Sequence, residues 1–213
     1  MLSRAIGTVG VIALASSVEA AFRVSRCPDF AKMDSFDAFS FTGRWYEIAR
    51  DKLTPFEAFA SCANVDYDLM PDNETITVHN KGHWPLFGWL DARGTAVESD
   101  ITGPASLVVS MDEDKPPLAS MPGNFNILST DYNSYAITYS CVELLEGAFS
   151  YDYLWVMARE PEITDEAMQS IVVEIERKIP DYRFQDNHKL TRQGESCPYD
   201  QMPKNGRDPA FTQ

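Results

Sequence analysis

Positive charge is scarce in this chain of 213 residues: 18 Lys and Arg stand against 32 Asp and Glu, for a net charge of −14. Such a polyanion does not grip nucleic acid through its phosphates, nor is it drawn to an anionic membrane surface. The charge is read as solubility. Histidine is scarcer still. His79, His83 and His188 are not clustered around any cysteine, and there is no CxxC pair, so no metal site is expected. Haem would want an inward histidine. By alternation His79 faces outward, His83 falls in a loop and His188 follows a helix. No Ser/His/Asp arrangement is visible, so no catalytic residue is nominated and no cofactor is expected. Beyond the first 20 residues no apolar run reaches the roughly 18–20 residues of a membrane span. Internal repeats and low-complexity tracts are absent, and nothing marks a second domain.

Residues 1–20 have the pattern of a secretory signal peptide. Arg4 gives a positive start, small apolar residues follow, and Val18-Glu19-Ala20 resembles a cleavage site. The expected organisation is a leader over 1–20, one domain over 21–198 and a loose polar tail over 199–213. Cys27, Cys62, Cys141 and Cys197 form an even set in an exported chain, which predicts two disulfides. Sequence alone allows three pairings. Asn73-Glu74-Thr75 is the one N-glycosylation sequon, in a predicted turn. The destination is outside the cell or the lumen of an organelle.

Alternation of polar and apolar residues dominates from 44 to 158. In Cys62–Leu69, Val65, Tyr67 and Leu69 share one face, and Asn64, Asp66 and Asp68 the other. Eight strands are predicted: 44–50, 61–69, 74–81, 91–99, 105–111, 123–130, 134–141 and 151–158. Eight consecutive strands close into an all-β, antiparallel up-and-down barrel that holds one small ligand. A single helix follows, with Thr164 as its N-cap, Met168, Ile171, Val172, Ile175 and Ile179 as its apolar stripe, and Pro180 as its stop.

Three short motifs occur in order: Gly43-Arg44-Trp45, Thr130-Asp131-Tyr132, and Arg159 closing Leu154–Ala158. Together they resemble the signatures of the lipocalin family, and the chain is similar to its apolipoprotein D-like and bacterial branch over about residues 25–198. The resemblance implies that Trp45 plugs the closed end of the barrel with Arg159 across its ring. It also implies the pairing Cys27–Cys141 and Cys62–Cys197, and a helix packed on the barrel. All four cysteines are then occupied, which leaves no thiol nucleophile. No lipobox cysteine ends the leader, so lipid anchoring is not indicated.

If Arg159 faces the barrel axis, strand parity turns Met157, Trp155, Tyr153 and Tyr151 the same way. The family comparison adds Tyr67, Asn80 and Phe125 to the pocket beside Trp155. Val65, Val78 and Val109 share the inward faces, as do Leu69, Ile76, Leu107 and Ile127. Apart from Arg159 no inward Arg or Lys is evident, which favours a neutral ligand such as a sterol, retinoid or carotenoid, or a lipid whose headgroup stays at the mouth, where Arg50, Lys52 and Lys81 are placed to serve a carboxylate. The open-end loops, about 51–60, 82–90, 112–122 and 142–150, are rich in apolar residues: Phe56 and Phe59; Trp84, Leu86, Phe87 and Trp89; Leu118 and Met121; Leu144, Leu145 and Phe149. A rim of this kind meets a lipid surface, meets a protein partner, or folds over the mouth and buries itself. The expected function is binding and transport, or sequestration, of a small hydrophobic molecule. The alternatives are an accessory subunit docked through its rim and, further off, a lipocalin-type enzyme.

Overall fold

The computed structural model describes residues 23–52, 54, 57–111 and 124–204. The expected leader, Phe56, Leu118, Met121 and residues 205–213 lie outside the described residues.

Eight antiparallel strands run in chain order: β1 Gly43–Asp51, β2 Ser61–Leu69, β3 Thr75–Trp84, β4 Gly88–Glu98, β5 Ser106–Met111, β6 Phe125–Thr130, β7 Tyr135–Leu144 and β8 Phe149–Ala158. Each pairs with the next, β8 pairs with β1, and β1 pairs with β2, so the sheet closes on itself. The long period-2 pattern dictates this result, because every strand has one face to bury and closure removes both edges. The expected loops 82–90 and 142–150 are mostly strand. β3 and β4 stay paired out to Trp84 and Gly88, and β7 and β8 out to Leu144 and Phe149. Alternation continues to Trp84 and Leu144, and only residues 85–87 and 145–148 lie between the paired strands.

The closure is uneven. β1 pairs with β2 only near the closed end, Gly43–Tyr46 against Asn64–Tyr67. Towards the open end the two strands part, and a ninth strand, β9 (His188–Leu190), takes the free edge of β1. The chain after β9 fills the seam. The Cys62 N–H donates to the Arg192 carbonyl, the Gln193 amide donates to both Glu47 O and Ala63 O at 2.7 Å, and Cys62 is bonded to Cys197. The second disulfide, Cys27–Cys141, ties the N-terminal segment to β7. Both pairings agree with the resemblance.

Two apolar clusters lie on either side of the wall. Outside, the helix Asp165–Lys178, capped by Thr164 Oγ1 accepting from Ala167 N, lays Ile171 and Ile175, with Ile179 just beyond, against Leu128, Ile137, Leu154 and Val156. Inside, Phe41, Trp45, Tyr67, Ile76, Leu107 and Ile127 fill the floor. The tail, expected to be loose from 199, is packed through its first residues. Tyr199 rests on the rings of Tyr46 and Trp89, and Asn64 reaches the Met202 sulfur.

Candidate functional site: the barrel cavity

The floor is set by the three motifs. Gly43 has φ +94°, a conformation that calls for glycine, and a Cβ there would also crowd an Arg159 guanidinium nitrogen at 3.2 Å. Trp45 is fully buried, its indole N–H donates to the Phe41 carbonyl at 2.9 Å, and Arg159 lies 3.7 Å above its ring. The guanidinium also donates to the carbonyls of Tyr132, Arg44 and Ser40, which stitches three closed-end segments together. Asp131 closes its turn by accepting from the N–H groups of Asn133, Ser134 and Tyr135.

Above this floor is a cavity of about 610 Å³. Val65, Tyr67, Val78, Asn80, Val109, Phe125 and Trp155 all line it, as their inward parity requires, together with Met157. Tyr153, like Tyr151 beyond it on β8, is expected on this face but is not among the lining residues. It shares the inner face and lies 5.9 Å from Trp155, ring to ring, but one row nearer the open end, above the lining.

The cavity has a polar side that alternation did not reveal. β1 carries a bulge between Glu47 and Ala49, so that Glu47 pairs with Met157 but Arg50 pairs with Trp155. Counting by twos from Trp45 puts Arg50 outside; the bulge turns it inward, where it is fully buried. The expectation of no inward cation besides Arg159 is therefore wrong. Arg50 is bonded to Glu47, to Thr191 Oγ1 at 3.0 Å and to the carbonyls of Glu57 and Ala60. Glu57, from the β1–β2 connection, accepts from the Trp155 indole N–H at 3.2 Å. Burial, then the nearby Glu47 charge, pushes the Glu57 carboxyl up to about 8. Glu47 lay within reach of sequence reasoning, two residues past Trp45. Glu57 did not, because it comes from a connection whose path no pattern fixes. Lys81 also lines the cavity, but it is bonded to Asp66, which Arg44 holds as well at 2.7 Å. Against the upward pull of burial, these two cations hold the Asp66 carboxyl below its ordinary value.

The expected rim separates into different fates. Trp84 turns inward and lines the cavity, its ring lying where a Gly82 side chain would be. Trp89 is on the outer face, where its N–H donates to the Pro198 carbonyl at 3.1 Å and its ring meets His83 and Tyr199. It is part of the tail's seat and no part of a free rim. Phe59, Leu86 and Phe87 remain 78%, 90% and 73% exposed, and Leu145 is exposed with them.

A closed antiparallel barrel with a sealed floor, an open mouth and an apolar cavity of this size defines a small-molecule-binding barrel. Residues 36–185 match the family described as Lipocalin-like domain, and the chain belongs to the lipocalins. It is 34% identical to rat (Rattus norvegicus) apolipoprotein D over 147 residues, 69% of this chain and 73% of that protein. It is 26% identical to the Lazarillo protein of Schistocerca americana over 183 residues, 81% and 76% of the two chains. Among solved structures, insecticyanin from the tobacco hornworm Manduca sexta superposes with a TM-score of 0.69 at 17% identity, over 84% of this chain and 92% of that one. These structural likenesses concern the fold alone.

Proposed function

We propose that this lipocalin carries or sequesters a small hydrophobic molecule in its barrel, and that Tyr67, Asn80, Phe125, Trp155, Val65, Val78 and Val109 contact it. The observation that carries the reading is the cavity: about 610 Å³, apolar and aromatic on most sides, sealed below and open above. A ligand losing about 300–400 Å² of apolar surface there gains on the order of 8–10 kcal/mol before the costs of immobilisation. Transport is favoured over catalysis because all four cysteines are in disulfides, which leaves no thiol nucleophile. Two disulfides suit an exported protein, and we place it outside the cell. Asn73, exposed in the β2–β3 turn at the closed end, is the proposed glycan acceptor, where a sugar chain leaves the mouth free.

Titration with an apolar fluorescent probe tests this. Wild-type protein is expected to bind one probe per barrel. Ala92→Trp, which fills the cavity, abolishes binding, and Val97→Trp, on the outer face, leaves it unchanged. Equal binding by both variants would place the probe elsewhere and sink the reading.

A second reading, contact of the mouth with a lipid surface or a protein, is supported by the exposed Phe59, Leu86, Phe87 and Leu145 at the open end. Liposome flotation that is unaffected by Phe59→Ser, Leu86→Ser and Phe87→Ser together removes its lipid form.

A further inference from the structure

Resting on the ligand-holding reading, we propose that one wall of the cavity recognises the ligand's polar end, and that it accepts an uncharged hydroxyl and disfavours a carboxylate. The site is the row Arg50–Trp155–Thr138 across β1, β8 and β7, capped by Glu57. Register places the three in line: Arg50 opposite Trp155, and Trp155 opposite Thr138. Directly opposed residues on adjacent antiparallel strands project from the same face as neighbours. The indole N–H of Trp155 then positions Glu57 over the row.

Thr138 supplies the first argument. It lines the cavity and is fully buried, yet its hydroxyl has no partner among the described residues. A buried hydroxyl is ordinarily paired, and one left unmatched on a cavity wall is matched by what the cavity holds. Charge supplies the second. A carboxylate ligand needs a cation with donors to spare. Arg50 has its terminal nitrogens on Glu47, Thr191 and two backbone carbonyls. Only its Nε makes no hydrogen bond, and that atom faces the Glu57 carboxylate at 4.0 Å. Arg50 and Lys189 already face two carboxyl groups, Glu47 and Glu57, Lys189 donates to the Ala58 carbonyl, and Lys81 on the cavity wall is bonded to Asp66, so among the described residues a ligand carboxylate meets no cation that is not already engaged. A hydroxyl adds no charge. It accepts from Thr138 while donating to Glu57, or takes the reverse roles when Glu57 carries its proton, so it pairs in either state.

The test uses three probes on the full-length protein at neutral pH: parinaryl alcohol, parinaric acid of the same chain, and the hydrocarbon diphenylhexatriene. The alcohol is expected to bind at least about tenfold more tightly than the acid, as one uncompensated buried charge requires. Thr138→Val, which removes only the unpaired hydroxyl, is expected to weaken the alcohol about fivefold, without weakening the hydrocarbon and without lowering the thermal midpoint of the empty protein. Acid binding as tight as alcohol binding, or an alcohol indifferent to Thr138→Val, would overturn the proposal while the hydrocarbon still reports a working cavity. Failure of all three probes to bind would remove the ligand-holding reading, and the proposal with it.

Discussion

Arg50 and Trp155 stand opposite each other on β1 and β8, on the inner face of the barrel, because a single bulge after Glu47 shifts the parity of β1. That one irregularity converts a residue expected at the rim into the anchor of the cavity's polar side. It also fixes the β1–β2 connection, since Arg50 holds the carbonyls of Glu57 and Ala60 and Lys189 holds that of Ala58 at 2.6 Å.

Arg50→Met therefore leaves Glu47 buried without its cation and frees the connection. The expected loss is about 3–5 kcal/mol of unfolding free energy, the usual penalty for stranding one member of a buried pair. Denaturant unfolding measures it. Adding Glu47→Met is expected to recover part of the loss, and strict additivity of the two changes would show that the pair is not coupled.

Gly82 makes room for Trp84. A Cβ at 82 would stand 2.7 Å from the Trp84 ring and 3.3 Å from Ala60. Gly82→Ala is expected to push the indole out of the mouth at little cost in stability, under about 1 kcal/mol, because the ring is the movable partner. Stopped-flow measurement of ligand release should then give a rate several times faster than wild type.

The outer wall holds a buried carboxylate whose titration acts on stability. Asp51 accepts from Tyr182 Oη at 2.6 Å and from the Leu154 N–H. Burial, only partly offset by those bonds, raises its carboxyl from 3.8 to about 7. A carboxyl raised in the folded state binds its proton more tightly there than in the unfolded chain. Its contribution is complete below pH 3.8 and is lost as the pH rises to about 7. Relative to Asp51→Asn, wild-type stability should fall across that window with a limiting slope of about 1.4 kcal/mol per pH unit. A flat difference would show that Asp51 does not titrate there.

The seam between β1 and β2 predicts unequal roles for the disulfides. Removing Cys62–Cys197 with paired serines is expected to cost about 2–5 kcal/mol and to raise hydrogen exchange first at residues 188–193, which bridge the seam. Removing Cys27–Cys141 should leave that stretch protected.

Most of the barrel was legible because its signals are local. Period-2 runs give the strands, Thr164 and Pro180 bound the helix, and Gly43, Trp45 and Arg159 mark the floor. Of the lining residues, Val78 followed from alternation, Trp155 from parity counted back from Arg159, and Tyr67 from the family resemblance. What escaped depends on longer-range geometry. Arg50 needed knowledge of a bulge, Glu57 the path of a connection, and β9 the fact that β1 and β2 diverge. Trp84 and Trp89 look alike in sequence, but a one-residue slip of β3 and β4 would exchange which of them faces the cavity. Thr138 was within reach by parity, two residues along β7 from Ala136. Its significance appears only once its hydroxyl is seen to lack a partner.

The central claim is that this barrel is occupied in its working state, and native mass spectrometry of the protein purified from its own source tests it most directly. The account predicts one added small-molecule mass per chain, lost on organic extraction and restored when the extract is returned, but not restored to Ala92→Trp. One and the same protein mass before and after extraction, with no uptake from the extract, would contradict it.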